Sequence, residues 1–232
     1  TPHLSLRTAT SSPPRGEAGS ARSVHVLATR PPSPREDAGP SPRGRGEGGE
    51  RAVCFAVMAD AHAAEIRLVK PEEAAAYVAM RREALVDTPL AFAGSPGADA
   101  PSDEVWVRER LGERWQAIAG AFVGTRMIGS AGVYRDHRMK MAHRAMIWGV
   151  WVSPEWRGRG VGERLVRMAM ETASAWEGVR TVSLSVGAGQ IGAQRLYARL
   201  GFVAWGVEPS VMVVDGAEHD EVHMQKRVRG EE

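Results

Sequence analysis

Six consecutive residues of this chain have the types and spacing of an anion-binding turn. They are Arg157, Gly158, Arg159, Gly160, Val161 and Gly162. The turn follows an apolar run at 145–152 and leads into an amphipathic run at 161–176, so it joins a predicted buried strand to a predicted helix. At such a helix start, unpaired backbone N–H groups gather at the positive end of the helix dipole. Glycines allow close backbone approach, and arginines could add charge-assisted contacts, so the pattern predicts a phosphate site.

Spacing separates three kinds of nucleotide-binding turn. A P-loop requires Gly-x-x-x-x-Gly-Lys-Ser/Thr, and no lysine follows these glycines. A Rossmann fingerprint requires Gly-x-Gly-x-x-Gly, but counting from Gly158 and Gly160 puts Glu163 at the third glycine position. The acidic ribose ligand expected about 20 residues further on is also missing. What remains is Arg-x-x-Gly-x-Gly after a buried strand.

The remaining pattern resembles the acyl-CoA-binding turn of the GCN5-related N-acetyltransferases, the GNAT family. A second landmark of that family, Asn-x-x-Ala-x-x-Leu-Tyr, corresponds to residues 190–197, where Gln190 replaces the usual Asn while Ala193 and Tyr197 match. The family's Gly-Phe before the next strand corresponds to Gly201 and Phe202. An ordinary strand-to-helix loop is the alternative for the glycine turn by itself. The second landmark, in the family's order, favours acyl-CoA binding.

The resemblance implies an α/β fold with a GNAT-type mixed, mostly antiparallel central sheet, splayed central strands and flanking helices. The strands at 145–152 and 181–186 would part, and acetyl-CoA, the co-substrate, would complete the sheet because free strand backbone groups must find partners. No metal is implied. The resemblance places the following residues around acetyl-CoA: Val150, Val152, Arg157, Gly158, Arg159, Gly160, Val161, Gly162, Gln190, Ala193 and Tyr197.

The implied reaction is direct attack of an uncharged amine on the thioester in a ternary complex. It requires a donor to the developing oxyanion and an acid for the leaving thiolate. The backbone N–H of Val150 is the candidate oxyanion donor, and the hydroxyl of Tyr197 is the candidate general acid. A half-buried core tyrosine is the alternative interpretation of Tyr197. The expected activity is that of an N-acetyltransferase.

The sequence does not point to one general base. Many relatives place a Glu on the central strand, but residues 145–152 contain no carboxylate. Glu104 and Glu221 are candidates, and Glu208 and His223 are others; each is also explained as a solvated or structural residue. Glu221 and His223 should share a face of the last strand because strand side chains alternate.

The acceptor is the least defined part of the hypothesis. We expect a small-molecule amine, with a protein N-terminus or lysine as an alternative within the same chemistry. A non-catalytic acyl-CoA-binding regulatory module is the alternative from another class. Four acidic residues between the first two helices could hold a cationic amine or form a solvated face: Asp87, Asp99, Asp103 and Glu104. Five tryptophans could line a slot or belong to the core: Trp106, Trp115, Trp148, Trp151 and Trp205.

Composition divides the chain near residue 60. Residues 1–60 contain eight of the 14 prolines, with Ser, Gly and Arg between them, which predicts a disordered segment. Met58 lies just before the first periodic segment, so we expect it to be the initiator of the biological protein and the preceding residues to be an over-extended start. A transit peptide is disfavoured by the acidic residues in this stretch. The N-acetyltransferase domain is expected over 64–230.

Charge and cysteine content exclude several classes. Residues 1–60 hold eight of the 30 basic and six of the 28 acidic residues, so the remainder carries 22 of each and offers no basic face for nucleic acid. Cys54 is the only cysteine, which excludes internal disulfides and cysteine-based metal sites. No apolar run reaches the length of about 18 residues needed for a membrane span. We expect a cytoplasmic monomer or homodimer that binds neither nucleic acid nor membrane.

Periodicity and turn signals predict the element order β-α-α-β-β-β-α-β-α-β-β. Strands are expected over 65–69, 117–123, 127–134, 145–152, 181–186, 202–214 and 219–228. Helices are expected over 71–85, 104–112, 161–176 and 190–199. The last two strands flank Asp215 and Gly216, a dipeptide that favours a tight hairpin turn.

Overall fold

The fold follows the predicted element order. In the computed structural model, residues 64–229 are described, and the predictions for 1–60, including Met58, lie outside them. The strands are β1 (Glu65–Leu68), β2 (Gln116–Val123), β3 (Arg126–Arg135), β4 (Arg144–Val152), β5 (Thr181–Gly187), β6 (Val203–Val214) and β7 (Ala217–Arg227). The α-helices are α1 (Ala74–Asp87), α2 (Glu104–Leu111), α3 (Val161–Ala175) and α4 (Ile191–Arg199).

The strands of the described residues form one sheet in the order β1-β2-β3-β4-β5-β7-β6. Every neighbouring pair is antiparallel except β4 and β5, which run parallel. The parallel pair needs a crossover connection, and α3 supplies it. The mixed, mostly antiparallel sheet with flanking helices that the resemblance implies is therefore confirmed.

Strand β4 contains a bulge at Gly149. The register between β3 and β4 shifts between the pair Gly132–Trp148 and the pair Ser130–Trp151, so two residues of β4 lie opposite one residue of β3. Gly149 has a φ of +61°, which glycine adopts without the strain that a Cβ would cause. Its carbonyl accepts a hydrogen bond of 2.8 Å from Ser130 Oγ, which fixes the bulged peptide.

The bulge lets β4 contribute side chains to both layers of the core. Ala145 and Ile147 before it pack in the layer that includes α3, and Val150 and Val152 after it pack there too. Trp151 instead packs in the opposite layer, which includes α1. Regular alternation from Ile147 would have placed Trp151 on the α3 side, so the extra residue reverses the faces of everything that follows.

A buried ion pair ties α1 to the segment before α2. Arg81 Nε and Nη2 donate to the Asp99 carboxylate at 2.9 and 2.8 Å, and only 6% and 3% of the two side chains are exposed. Ser102 Oγ donates to the same carboxylate at 2.8 Å. Burial disfavours the charged form of Asp99, but these hydrogen bonds lower its pKa, so the pair is ionised at neutral pH.

Residues 64–229 contain no helical membrane span and no cluster of metal-ligating side chains. No helix in this part of the chain has the length and apolar character to cross a bilayer. In the same range, no cluster of three or more His, Cys, Asp or Glu side chains is arranged to hold a metal ion.

Candidate active site

The parallel strands β4 and β5 pair over only a short length. Their register joins Arg144 to Thr181, Ala145 to Val182 and Met146 to Ser183. Beyond these pairs β4 continues beside β3 to Val152, while β5 continues beside β7 to Gly187. A gap therefore opens between the two strands toward their C-terminal ends, and backbone groups on its edges lack a strand partner.

The glycine turn lies where β4 leads into α3. Gly158 and Gly160 have φ values of +74° and +76°, and a Cβ built on either would meet no atom within 4 Å. Among the described residues, none accepts a hydrogen bond from the N–H groups of 158–163, and the first intrahelical bond runs from Arg164 N–H to the Gly160 carbonyl at 3.1 Å. These free donors surround open space at a helix N-terminus, which is the arrangement that binds anions.

The two arginines of the turn are held differently. Arg157 Nε donates to the Val152 carbonyl at 2.9 Å, and its Nη2 donates to Asp87. Arg159 is exposed, with its guanidinium 5.0 Å from the centre of the Trp156 ring. Arg157 thus anchors the turn to the end of β4 and to α1, whereas Arg159 lies at the solvent side of the turn.

Asp87, the last residue of α1, connects this turn to the other face of the sheet. Its Oδ2 accepts hydrogen bonds from Thr88 Oγ1 at 2.6 Å, from Trp151 Nε1 at 2.9 Å and from Arg157. Burial favours the neutral carboxyl, but the three hydrogen bonds outweigh it and lower the pKa of Asp87. Asp87 is therefore an anion at neutral pH.

A cavity of about 530 Å³ lies beside the C-terminal end of β5. It is bounded by the end of α1 and the turn after it, by the loop between β5 and α4, and by the hairpin of β6 and β7. The lining residues are Asp87, Thr88, Pro89, Leu90, Gly187, Ala188, Gly189, Gln190, Met212, Glu218, His219 and Asp220. The cavity has the size of a small-molecule site, and its charged lining residues are acidic.

The loop between β5 and α4 contributes an unpaired donor. Gln194 Nε2 holds the loop by donating to the carbonyls of Gly187 and Ala188 at 3.2 and 2.9 Å. Gln190 Nε2, by contrast, is buried with no hydrogen-bond partner among the described residues. A buried donor without a partner is destabilising, so an acceptor group on a ligand is its natural complement.

Tyr197 lies on α4 in a protected position. Its side chain is buried and packs edge-to-face on Phe202, with the ring centroids 6.1 Å apart. No described residue forms a hydrogen bond with its hydroxyl. Burial raises the pKa of Tyr197 to about 12, so the hydroxyl keeps its proton at neutral pH. This is the protonation state that an acid needs.

Glu221 and His223 share a face of β7, because Val222 between them packs toward the α3 layer. Glu221 is paired in register with Gly187 at the end of β5, and this neighbour lines the cavity. His223 Nε2 lies 2.8 Å from the Glu208 carboxylate, and its ring stacks on Trp205 with centroids 5.2 Å apart. His223 and Glu208 therefore engage each other, whereas Glu221 does not line the cavity itself but neighbours Gly187, which does.

The four acidic residues from the end of α1 to the start of α2 have separate surroundings. Glu104 bonds to Arg108 at 2.5 Å in an exposed pair, and Asp103 caps α2 by accepting from the Trp106 N–H at 2.8 Å. Asp99 belongs to the buried ion pair. Only Asp87 among them lines the cavity, and Glu104 does not.

The five tryptophans do not form an acceptor slot in the described structure. None of them lines the cavity. Trp106, Trp148 and Trp151 pack in the α1 layer, and Trp115 packs edge-to-face on Trp176. The alternative interpretation, that these tryptophans mostly serve packing, fits their positions.

Two features of the site were not predicted from the sequence. One is the β4 bulge, for which a glycine inside an otherwise apolar strand is the available signal. The other is the role of Asp87 in joining Trp151 and Arg157, residues 64 and 70 positions away. No local pattern reports such a contact.

Three solved structures share this fold at low sequence identity. A GNAT-family acetyltransferase from Streptococcus pneumoniae is 22% identical over 71% of this chain and 99% of its own, with a TM-score of 0.64. The yncA protein from Salmonella typhimurium, solved with its cofactor acetyl-CoA, is 20% identical over 73% of this chain and 96% of its own, with a TM-score of 0.63. A ribosomal-protein-alanine N-acetyltransferase from Brucella melitensis is 21% identical over 71% and 99%, with a TM-score of 0.61.

These similarities establish the fold class, and a sequence match establishes the family. No curated protein sequence matches the chain. Residues 79–202, more than half of the chain, match the Acetyltransferase (GNAT) family. The chain therefore belongs to the GNAT acetyltransferase family.

Proposed function

We propose that this protein is an N-acetyltransferase that transfers the acetyl group of acetyl-CoA directly to a primary amine of a small molecule. The observation that carries the proposal is the early end of pairing between β4 and β5 beside a glycine turn with free N–H groups. In acetyl-CoA, an extended pantetheine arm with two amides is followed by a pyrophosphate. The amides complement the open backbone edge, and the pyrophosphate complements the free N–H groups of the turn that follows it. The acetyl-CoA bound to the Salmonella relative supports the choice.

Different residues around the gap would bind different parts of acetyl-CoA. The backbones of Val150 and Val152 would bond to the pantetheine amides; the Val152 carbonyl already accepts from Arg157 but has a second lone pair. The turn from Arg157 to Gly162, with Gly158, Gly160 and Val161, would hold the pyrophosphate, and Arg159 would add a charge-assisted contact. Gln190, Ala193 and Tyr197 would flank the thioester from α4.

The transfer would use few protein groups. The Val150 N–H would stabilise the negative charge that develops on the thioester oxygen, a contribution typically of about 3 kcal/mol. The Tyr197 hydroxyl would donate its proton to the departing thiolate. Of the two carboxylates proposed as base, neither lines the cavity, but Glu221 is paired in register with Gly187, which does. Glu221 or a water beside it would therefore accept the proton of the attacking amine.

The cavity supports a small acceptor. Its volume of about 530 Å³ suits a small molecule. A protein N-terminus or lysine, as the name of the Brucella relative illustrates, is the alternative acceptor.

The decisive experiment combines calorimetric titration of acetyl-CoA with an assay of thiol release in the presence of amine and N-terminal peptide libraries. We expect acetyl-CoA to bind and thiol release to depend on an added small amine. Binding without amine-dependent release would identify a non-catalytic acyl-CoA-binding module instead. A protein that does not bind acetyl-CoA would refute the proposal.

Gly160→Ala tests the pyrophosphate turn. The substitution places a Cβ in the open space of the turn and forces a non-glycine residue to a φ of +76°. We expect the dissociation constant for acetyl-CoA to rise about tenfold, with a backbone strain of about 1–2 kcal/mol. Gly124→Ala is the matched control, since Gly124 has a φ of +58° and open space around it but lies in the β2–β3 hairpin. Gly124→Ala should be destabilised to a similar degree but keep its affinity for acetyl-CoA. Equal losses of affinity in the two variants would contradict the assignment of the turn as the pyrophosphate site.

Tyr197→Phe tests the acid. We expect the rate at saturating acetyl-CoA to fall by about tenfold or more, equivalent to at least about 1.4 kcal/mol, with little change in acetyl-CoA affinity. Because burial raises the pKa of Tyr197 to about 12, the wild-type rate should not fall through loss of this proton below about pH 10. Tyr134→Phe, on β3, is the control. An unchanged rate in Tyr197→Phe would eliminate this role.

Gln190→Leu tests the unpaired donor. Removing a buried Nε2 that has no partner should leave the free energy of unfolding unchanged or raised, because the desolvation cost disappears. The KM for acetyl-CoA should rise about tenfold. Gln194→Leu, which deletes the bonds that hold the same loop, should lower stability instead. The hypothesis is wrong if Gln190→Leu leaves acetyl-CoA binding and turnover as in the wild type.

A further inference from the structure

Asp87 carries one carboxylate oxygen without a partner at the wall of the cavity. All three hydrogen bonds to the side chain end on Oδ2, from Thr88, Trp151 and Arg157. No described residue donates to Oδ1. The side chain is 26% exposed, and Asp87 is among the lining residues of the cavity. Three donors thus fix the orientation of the carboxylate and leave its second oxygen for a ligand.

Asp87 links strand β4 to the glycine turn through its hydrogen bonds. Trp151, one of its donors, follows Val150, the proposed oxyanion donor, along β4. Arg157, another donor, opens the glycine turn. A group bonded to Asp87 at the cavity wall would therefore be one hydrogen-bonded residue away from the strand that carries the acetyl transfer.

The charge of the cavity agrees with a cationic ligand. Glu218 and Asp220 line it together with Asp87, and no lysine or arginine is among its lining residues. The donors to these two carboxylates are the Ser210 hydroxyl, at 2.6 Å from Glu218, and the Ser210 N–H, at 2.9 Å from Asp220. Both donors are neutral, so they do not cancel the negative charge.

On the basis of the acetyltransferase function proposed above, we propose that Oδ1 of Asp87 binds the amino group that becomes acetylated, and that the acceptor enters as an ammonium. Asp87 then holds the acceptor in place of a carboxylate on β4. The ammonium loses one proton to water, its nitrogen forms the C–N bond, and the C–S bond breaks. The thiolate takes the Tyr197 proton, the second amine proton leaves to water, and Tyr197 is reprotonated from solvent.

The test uses 1,4-diaminobutane as the probe and 1,4-butanediol as its uncharged counterpart, both followed by saturation-transfer NMR on the full chain. We expect the diamine to bind at least about tenfold more tightly than the diol, and Asp87→Asn to remove this difference. Asp136→Asn is the matched control, because Asp136 is also bonded to an arginine, Arg138, but lies outside the cavity. Absence of diamine binding to the wild type, or equal binding to Asp87→Asn, would overturn the inference.

Arg157→Gln separates amine binding from the ion pair. It breaks the same pair as Asp87→Asn from the other side but keeps the carboxylate and its free oxygen. We expect Arg157→Gln to retain diamine binding. Equal losses in the two variants would show that the ion pair acts only through structure and would overturn the inference.

A measurement on the wild type covers the case in which Asp87→Asn does not fold. The Trp151 indole N–H donates to Asp87, so its NMR resonance, assigned by its loss in Trp151→Phe, should shift on adding the diamine. A resonance that stays in place would overturn the inference.

Acetyl-CoA titrations on the same samples keep the two proposals apart. Diamine binding through Asp87 without acetyl-CoA binding would refute the acetyltransferase function alone. Acetyl-CoA binding without diamine binding would refute only the role of Asp87.

Discussion

The extra residue at the Gly149 bulge is the constraint on which the site depends. A bulge bends its strand and increases the local twist, and here the pairing of β4 with β5 ends three positions before it, at Met146 and Ser183. A Cβ on Gly149 would lie 3.6 Å from Nη1 of Arg81, whose guanidinium is buried in the pair with Asp99. The bulge is thus held from one side by the Ser130 hydrogen bond and bounded on the other by a packed, charged layer.

Because of the same bulge, β4 contributes side chains to both faces of the sheet. It turns Val150 and Val152 toward α3, while Trp151 reaches Asp87 on the α1 side. Asp87 then links the indole to Arg157 and so to the glycine turn. The open strand edge, the glycine turn and the cavity wall are consequently linked by one set of hydrogen bonds.

Much of this arrangement was predictable because its signals are local. The amphipathic period of 161–176 predicted α3, and the Asp215-Gly216 turn predicted the last hairpin, where both residues do have positive φ. The free N–H groups of the glycine turn also follow from sequence, since a helix start always leaves them. The predicted ends of the helices differ from the observed ones by only a few residues, because fraying and capping decide the last positions.

The sequence by itself therefore determined the elements, their order and the glycine turn with its free N–H groups, each of which depends on neighbouring residues. Only the tertiary structure decided where β4 and β5 part, which face Trp151 occupies and which acidic residue meets the cavity. Asp87 looked no different in the sequence from Asp99 or Asp103, yet one lines the cavity, one is in a buried ion pair and one caps a helix. These outcomes depend on contacts between residues far apart along the chain, and such contacts leave no periodic or turn signal.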